Sequence, residues 1–390
     1  MRPPINPCTT RRTFLQASAA VSTLAVGGWT RDDKQPSDKL DWHNVKDWGL
    51  EGKGFDDTAL YYDRLPARAE QKVRAPVWNL SRHSAGMVAR FNTDATSISV
   101  RYRLTSSRLA MPHMPATGVS GLDLYALDDT LKGRFINRPD QRWRWSAVVM
   151  PRSQSVEAQL VNNIRALPDG QPRPFQLYLP LYNGIASLEV GVPSGAVFNG
   201  VGPRNERPIV FYGTSIMHGA CASRPGLSIS SILGRRLNRP VINLGFSGNG
   251  TMETSVGQFL GELNPCVYAI DCLPNMNAQQ VTERCRPFVE QLHNARPEVP
   301  ILLVEDRVNT GAWLRKGKTS YHQKNHAALI TAYQQLVSDG FKNVHYLGGD
   351  KLLGVDGEGA TDGSHPNDLG MVRYANAYEP ALRNLIESVH

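Results

Sequence analysis

From residue 207 to the end of the chain, short apolar runs alternate with longer segments whose apolar positions recur every three or four residues. The short runs are typical of buried parallel strands and span residues 208–212, 240–244, 266–271, 300–305 and 343–347. The segments between and after them predict amphipathic helices at residues 227–237, 252–263, 278–295, 321–338 and 368–386. This alternation predicts an α/β domain with a doubly wound parallel sheet over residues 207–390.

The first half of the chain follows a period of two. Residues 97–104 read Ser-Ile-Ser-Val-Arg-Tyr-Arg-Leu, which places every second residue from Ile98 to Leu104 on one apolar face of a strand. Further strands are predicted at residues 87–91, 122–126, 143–149, 175–179 and 186–192, with Gly- and Pro-rich turns and no convincing amphipathic helix between them. The pattern predicts an antiparallel β-sandwich over residues 41–193 and a linker rich in Gly, Pro and Asn at residues 194–206.

The composition is that of an ordinary globular protein, with 41% hydrophobic residues in a chain of 390 and a formal net charge of +8. A positive charge can indicate nucleic-acid binding. However, Arg2, Arg11 and Arg12 lie within the first 30 residues, and without them 40 basic residues face 35 acidic ones. Since the sequence has no basic run and no recognisable nucleic-acid-binding module, we expect no nucleic-acid partner.

Residues 1–30 have the form of an export signal. The segment TRRTFLQ at residues 10–16 is followed by a weakly apolar run that ends near Gly28. The paired arginines resemble the bacterial twin-arginine signal, which exports proteins already folded. Because the apolar run is too short for an ordinary transmembrane helix, we expect no stable membrane span. The export signal itself predicts a periplasmic or extracellular location.

Four cysteines follow this leader, at Cys221, Cys266, Cys272 and Cys285. They form no Cys-x-x-Cys pair and no Cys/His spacing typical of zinc ligands, so we predict no metal site. Cys266 and Cys272 flank a predicted buried strand, where a free thiol packs as a small hydrophobe. We therefore expect no obligatory disulfide.

Polar or glycine-rich segments follow the predicted strands of the α/β domain at their carboxyl ends, where open α/β sheets bind ligands. The first holds Ser215, and the others span residues 243–250, 271–276 and 361–368. A Ser at the end of a strand is either a helix N-cap or a nucleophile. The other three segments hold groups that a nucleophilic Ser requires.

Ester hydrolysis through Ser215 requires a base, and His365 is the candidate, with Asp362 three residues earlier to orient its imidazole. The oxyanion that forms requires hydrogen-bond donors aimed at it. The backbone N–H groups of Ser215 and Gly248 and the side-chain amide of Asn275 are the candidates. Loss of one such donor typically costs roughly 3–4 kcal/mol of transition-state stabilisation. A Gly at position 248 lets a backbone amide approach the substrate with no Cβ in the way.

These residues make the chain resemble a known family. Ser215 in Gly-Thr-Ser, Gly248 in Phe-Ser-Gly-Asn-Gly, Asn275, and Asp362 and His365 in Asp-x-x-His match in order the four sequence blocks of the SGNH (GDSL-like) hydrolases. The resemblance implies a flavodoxin-like three-layer fold for the C-terminal half, no metal or other cofactor, and ester or thioester hydrolysis through an acyl-enzyme. Ser215 would be the nucleophile, His365 the base, Asp362 its orienting acid, and Gly248 and Asn275 oxyanion donors. A β-rich domain before the hydrolase is similar to a bacterial exported subgroup of this family.

Three residues depart from the family pattern or compete with an assigned one. Thr214 stands where the family commonly has an Asp that is not the triad acid. The third block reads Cys-Leu-Pro-Asn-Met, so Asn277 competes with Asn275. Gly245 likewise competes with Gly248, although the Ser-Gly pair favours the latter.

Three further residues are candidates for substrate binding. His83 and His113 lie in polar or Pro-rich loops of the β domain, and our hypothesis is that one of these loops folds over the active site. A surface loop without such a contact is the alternative. Trp313 lies in an irregular segment at the carboxyl edge of the sheet, where it would either stack on a sugar or pack against the protein.

Together these observations indicate an exported serine esterase that hydrolyses short acyl esters, O-acetyl esters of carbohydrate above all. The preference follows from the resemblance, the export signal and the lack of a long hydrophobic stripe for a fatty chain. A lipid esterase or thioesterase of the same fold is the alternative among enzymes, and a non-catalytic glycan-binding protein is the alternative outside them. The expected partner is a small-molecule or glycan ester.

Overall fold

The structure is a computed structural model that describes residues 39–128 and 143–387, so the predicted export signal at residues 1–30 lies outside the described residues. The elements of the first half are β1 (Leu40–Asn44), α1 (Ala75–Ser81), β2 (Val88–Thr93), β3 (Ile98–Leu104), α2 (Ala116–Val119), β4 (Asp123–Leu127), β5 (Trp143–Val148), β6 (Ser155–Val161), β7 (Arg173–Tyr178), β8 (Ile185–Pro193) and β9 (Phe198–Val201).

The strands of this half form two antiparallel sheets, ordered β1-β8-β3-β6 and β5-β4-β7-β2-β9. The two sheets share one apolar core. Val100 and Leu188 come from the first sheet, Phe91 and Leu177 from the second, and all four are fully buried. The predicted antiparallel β-sandwich is therefore confirmed.

Several elements of this half are not predicted by the periodicity of the sequence. The helices α1 and α2 lie where no amphipathic helix is predicted, because seven and four residues are too few to display a helical period. Strand β9 lies within the predicted linker 194–206 and pairs with β2, so part of that segment belongs to the sandwich. The edge strands β1 and β6 also lie outside the predicted strands.

The second half forms the predicted alternation of strands and helices. Its elements are β10 (Ile209–Gly213), α3 (Ser215–His218), α4 (Ile229–Arg236), β11 (Val241–Gly245), α5 (Thr254–Glu262), β12 (Val267–Asp271), α6 (Ala278–Ala295), β13 (Ile301–Val304), α7 (Lys318–Ser338), β14 (Val344–Leu347) and α8 (Asp368–Glu387). The strands pair in parallel in the order β11-β10-β12-β13-β14. The predicted doubly wound parallel sheet is confirmed, and the short helix α3 is an addition to it.

Alternation along β10 separates two apolar cores on the two faces of the parallel sheet. Val210 and Tyr212 pack on one face with residues of α5, α6 and α7. Ile209 and Phe211 pack on the other face with residues of α4 and α8. The result is a three-layer α/β/α arrangement in which the carboxyl ends of the strands share one edge. No helix within the described ranges is long and apolar enough to cross a membrane.

The two halves of the chain share both of these cores. Trp78 of α1 belongs to the first core, and Met114 and Tyr182, from loops of the sandwich half, belong to the second. Loops of the sandwich half are thus part of the packing around the parallel sheet, which places some of them beside the candidate site.

Candidate active site

Ser215 is the first residue of α3, a single helical turn that begins directly after β10. Thr214, and not Ser215, is the N-cap of this turn, because its side-chain oxygen accepts the Ile216 N–H at 3.3 Å. The first N–H groups of a helix have no acceptor within the helix. The fold therefore leaves both the hydroxyl and the N–H of Ser215 outside the helical hydrogen bonds.

Ser215, His365 and Asp362, hereafter the triad, lie in one chain of hydrogen bonds. The Ser215 Oγ and the His365 Nε2 are 2.8 Å apart, although 150 residues separate them in sequence. The His365 Nδ1 and the Asp362 Oδ2 are 2.7 Å apart. With the Nδ1 proton directed at the carboxylate, Nε2 presents a lone pair to the Ser215 hydroxyl, as proton transfer from Ser to His requires.

Asp362 remains ionised because its hydrogen bonds outweigh its partial burial. Its Oδ1 accepts the backbone N–H of His365 at 2.8 Å and that of Ser364 at 3.0 Å. Burial raises the pKa of the Asp362 carboxyl, but these bonds and the one from the His365 imidazole outweigh that effect and bring the pKa to about 2. A carboxylate in this position is able to stabilise a positive charge on the His365 imidazole.

Gly245 and Gly248 have different surroundings. A Cβ on Gly245 would lie 2.2 Å from the backbone nitrogen of His218, so this glycine lets β11 pack against α3. Gly248 has a φ of +70°, and a Cβ there would meet nothing within 4 Å. The left-handed conformation in an open loop explains the glycine at 248.

The side chain of Asn275 lies against the loop that holds Gly248. In the orientation that satisfies its hydrogen bonds, the Asn275 Oδ1 accepts from the N–H groups of residues 248–250 at 3.0 to 3.3 Å. This contact leaves the Nδ2 amide to donate to another group. Asn277 is exposed and caps α6, where its side chain accepts the Gln280 N–H at 2.9 Å. The structure therefore places Asn275, and not Asn277, beside Gly248.

Arg307, which the sequence does not single out, supports the segment between Asp362 and His365. It is buried, and its guanidinium donates to the Ser364 carbonyl oxygen at 3.0 Å and to the Ser364 hydroxyl. The same guanidinium pairs with the buried carboxylate of Asp306. A planar donor of this kind can hold several acceptors in a fixed geometry, so Arg307 can fix the segment that carries His365.

A second buried arginine, Arg64, comes from the sandwich half and lies beneath the loop of Gly248. It donates to the carbonyl oxygens of Asn243 at 3.0 Å and Gly245 at 2.8 Å, at the end of β11. Burial lowers the pKa of Arg64 to about 9, so the guanidinium stays charged near neutral pH. The charge lies beneath the loop from which the candidate oxyanion donor projects, and no local sequence signal marks it.

His83 is part of this support and does not reach the triad. Its carbonyl oxygen accepts from Arg64 at 2.9 Å, and its ring lies 5.3 Å from the ring of His218 in α3. Burial, followed by the Arg64 charge, lowers the pKa of His83 to about 3. His83 is therefore a neutral, partly buried histidine beside α3, and of the two candidate loops the one with His113 is nearer to the triad.

The loop of His113 does lie over the candidate site. The rings of His113 and His365 are 5.8 Å apart. The loop leads directly into α2, where the Thr117 hydroxyl donates to the carbonyl oxygen of Ser223 in the α/β half at 2.6 Å. Cys221 lies beside both histidines. Contact between His113 and a substrate stays a prediction.

Trp313 is 83% exposed, so it does not pack into the protein. It lines a cleft of about 370 Å³ together with Thr310, whose N–H donates to the Gly363 carbonyl oxygen at 3.0 Å. Because Gly363 lies between Asp362 and His365, this cleft adjoins the segment that carries these two residues. A larger cleft of about 480 Å³ lies at the opposite edge of the sheet, where β10 and β11 begin.

Comparison with known families covers both halves of the chain. Residues 206–383 match the GDSL-like lipase/acylhydrolase family. Residues 40–198 match a family described as the N-terminus of SGNH-hydrolase-type esterases. No functionally curated protein matches the chain significantly.

Solved structures resemble the chain over both halves. A protein described as a GDSL-like lipase from Bacteroides ovatus is 29% identical, with a TM-score of 0.82 over 90% of this chain and 98% of its own. A salicylyl-acyltransferase from a tetracycline biosynthetic pathway is 17% identical, with a TM-score of 0.65 over 90% and 96%. A family two carbohydrate esterase from Cellvibrio japonicus is 12% identical, with a TM-score of 0.55 over 90% and 99%. At these identities the last two show a shared fold.

Proposed function

The chain belongs to the GDSL-like lipase/acylhydrolase family and is an ester hydrolase, and from this premise we propose that it is an exported serine esterase that removes short acyl groups, O-acetyl above all, from carbohydrate. The observation that carries the catalytic part is the triad, in which Ser215 and His365 are 2.8 Å apart and His365 and Asp362 are 2.7 Å apart.

In the proposed reaction, the Ser215 Oγ attacks the ester carbonyl carbon while its proton passes to the His365 Nε2. The carbonyl oxygen becomes an oxyanion, which accepts from the N–H groups of Ser215 and Gly248 and from the Nδ2 of Asn275. The intermediate then breaks its bond to the alcohol, which leaves with the proton from His365, and the acyl group stays on Ser215. Water, deprotonated by His365, attacks this acyl-enzyme and releases the carboxylic acid.

Asp362 has an electrostatic part in this reaction. Its hydrogen bond holds the His365 imidazole in one tautomer, with Nε2 free to accept the Ser215 proton. The carboxylate then balances the positive charge on His365 until the proton moves on. A carboxyl pKa of about 2 keeps Asp362 in the required charged form over the working pH range.

The proposed carbohydrate substrate rests on the surroundings of the triad. The exposed Trp313 lines a cleft beside it, and an indole ring offers a flat apolar face of the kind on which sugar C–H groups pack. One solved structure of the same fold is a carbohydrate esterase, although fold alone does not assign a substrate. The sequence also lacks a long hydrophobic stripe for a fatty chain.

The first test is hydrolysis of p-nitrophenyl acetate, butyrate and longer esters by the wild type beside Ser215→Ala. We expect activity that falls with acyl length, and a loss of at least about 10⁴-fold in kcat for the variant. A fluorophosphonate probe should label the wild type and not the variant. Equal activity of the two proteins would show that Ser215 is not the nucleophile.

Two other results would select the alternatives. A preference for long acyl chains would indicate a lipid esterase or thioesterase. An inactive wild type that the probe does not label would indicate a non-catalytic glycan-binding protein. If short esters are preferred, a panel of acetylated polysaccharides then identifies the alcohol.

Export is tested separately from catalysis. Cell fractionation of the full chain is compared with that of a variant in which Arg11 and Arg12 are both replaced by Lys. Passage of the wild type alone into the periplasm or medium would support the twin-arginine route. Retention of both proteins in the cytoplasm would contradict export.

A further inference from the structure

His113, Cys221 and His365 come from three separate segments of the chain and meet at the triad. One ligating atom of each, an imidazole nitrogen or the thiol sulfur, lies within 4.8 Å of those of the other two. Cys221 is 6% exposed, and both histidines are partly exposed, so solvent reaches the cluster. Two imidazoles and a thiolate are ligands of the kind that zinc prefers.

We propose that these three side chains form an inhibitory binding site for a borderline-soft divalent cation, for which Zn²⁺ is the best match. The Nδ1 of His365 is hydrogen-bonded to Asp362, so Nε2 is the ligand atom that remains. A carboxylate behind a metal-bound imidazole is the usual arrangement around protein-bound zinc, and Asp362 already occupies that place.

Only a small movement completes the site. In tetrahedral zinc sites the metal lies about 2.0–2.1 Å from imidazole nitrogen and about 2.3 Å from thiolate sulfur, which separates the ligand atoms by roughly 3.5 Å. One nitrogen of each imidazole and the Cys221 sulfur already lie within 4.8 Å of one another, so a movement on the order of 1–2 Å brings a ligand set of this kind to that spacing. On binding, Cys221 loses its thiol proton to solvent, the two imidazoles bind through lone pairs, and water fills the fourth position.

A cation bound to His365 inhibits the enzyme because it occupies an electron pair that catalysis requires. The lone pair on the His365 Nε2 is the one that accepts the Ser215 proton, so a cation bound there blocks the first proton transfer. This inhibitory part rests on the proposed function, whereas binding of the cation does not.

Binding is tested without catalysis, by equilibrium dialysis of the full chain carrying Ser215→Ala against ZnCl₂. We expect one Zn²⁺ per chain, and an affinity lowered roughly tenfold or more when Cys221→Ser is added. Cys266→Ser is the matched control, because it removes a buried thiol at the start of β12 and should leave the affinity unchanged. Bound Co²⁺ should show a thiolate charge-transfer absorption that Cys221→Ser abolishes. Absence of bound Zn²⁺, or equal binding by the Cys221→Ser protein, would overturn the proposal.

Inhibition is tested on the otherwise unchanged enzyme with p-nitrophenyl acetate. ZnCl₂ should inhibit wild type and Cys266→Ser alike, a chelator should restore activity, and Cys221→Ser should require roughly tenfold more Zn²⁺. Equal inhibition of all three proteins would contradict the inhibitory part. If the wild type has no esterase activity, the proposed function fails, while the dialysis experiment still decides the metal site.

Discussion

The guanidinium of Arg307 holds the backbone of Ser364, with 3.0 Å between the Arg307 Nε and the Ser364 carbonyl oxygen. Ser364 lies one residue before His365, so this bond fixes the chain on which the imidazole is carried. Arg307 is itself held by Asp306, whose other oxygen lies 2.9 Å from the His322 Nδ1 of α7. The position of the triad thus depends on a buried polar network that extends to a helix of the outer layer.

Arg307→Lys should lower kcat about 10- to 100-fold with a smaller change in KM. A lysine keeps the charge but cannot hold the carbonyl and the hydroxyl of Ser364 together, and small misplacements of catalytic groups reduce rates by this order. Steady-state kinetics and a thermal melt measure the effect. Arg286→Lys is the control, because Arg286 of α6 forms exposed ion pairs with Glu290 and Asp339 and its replacement should leave kcat unchanged. An unchanged kcat for Arg307→Lys would remove its positioning role.

Asn275→Ala should lower kcat, whereas Asn277→Ala should lower the free energy of unfolding. Asn275→Ala removes a proposed oxyanion donor, so kcat should fall about 10²- to 10³-fold while KM changes little. Asn277→Ala removes the N-cap of α6, so the free energy of unfolding should fall by about 1 kcal/mol with kcat unchanged. Kinetics and denaturant unfolding of both variants decide the matter. The reverse pattern would assign the oxyanion role to Asn277.

Gly245→Ala should mainly lower the stability of the fold, whereas Gly248→Ala should mainly lower kcat. At 245 the new Cβ would lie 2.2 Å from the backbone of α3, so the fold should be strongly destabilised. At 248 the Cβ meets no neighbour within 4 Å, but a φ of +70° is strained for alanine by about 1–2 kcal/mol. Gly248→Ala should therefore fold and have a lower kcat. Thermal melts and kinetics test this pair, and a Gly245→Ala protein that melts like the wild type would contradict it.

Two histidines at α3, the buried His218 within the helix and the partly buried His83 beside it, should make the fold sensitive to acid. Burial, followed by the Arg64 charge, lowers the pKa of His83 to about 3 and that of His218 well below the ordinary value of 6.5. Above pH 6.5 both are neutral in the folded and unfolded chains. As the pH falls from 6.5 towards 3, the unfolded chain gains protons that the folded chain does not, so the free energy of unfolding decreases.

Replacement of His218 by Gln should reduce this loss of stability. One buried histidine contributes at most about 1.4 kcal/mol per pH unit to the slope. Urea unfolding at several pH values between 4 and 8 measures it. The variant should show a shallower slope than the wild type below pH 6.5 and the same slope between pH 7 and 8. Equal slopes throughout would show that His218 does not titrate between the folded and unfolded states.

Local patterns in the sequence were sufficient to predict the strands and the longer helices of the α/β half. The helix predicted at residues 278–295 is α6, Ala278–Ala295, because its amphipathic period runs over 18 residues. Short or edge elements carry too little periodicity for this, which is why α1 and β9 do not follow from the sequence. The order of the four blocks also placed Ser215 at a strand end and Gly248, Asn275 and His365 in loops at the same edge.

By itself, the sequence determined the fold class, the order of the chemical groups and the sheet edge at which they lie, since periodicity and strand polarity are local properties. The tertiary structure decided which of two nearby residues faces the site, as with Asn275 against Asn277. It also brought in Arg64, Arg307 and Cys221, whose relevant partners lie in other segments. The Arg64–Gly245 bond spans 181 residues, and no local pattern encodes a contact of that separation. Such contacts arise only when the sandwich and the parallel sheet pack together and the buried polar groups must find partners.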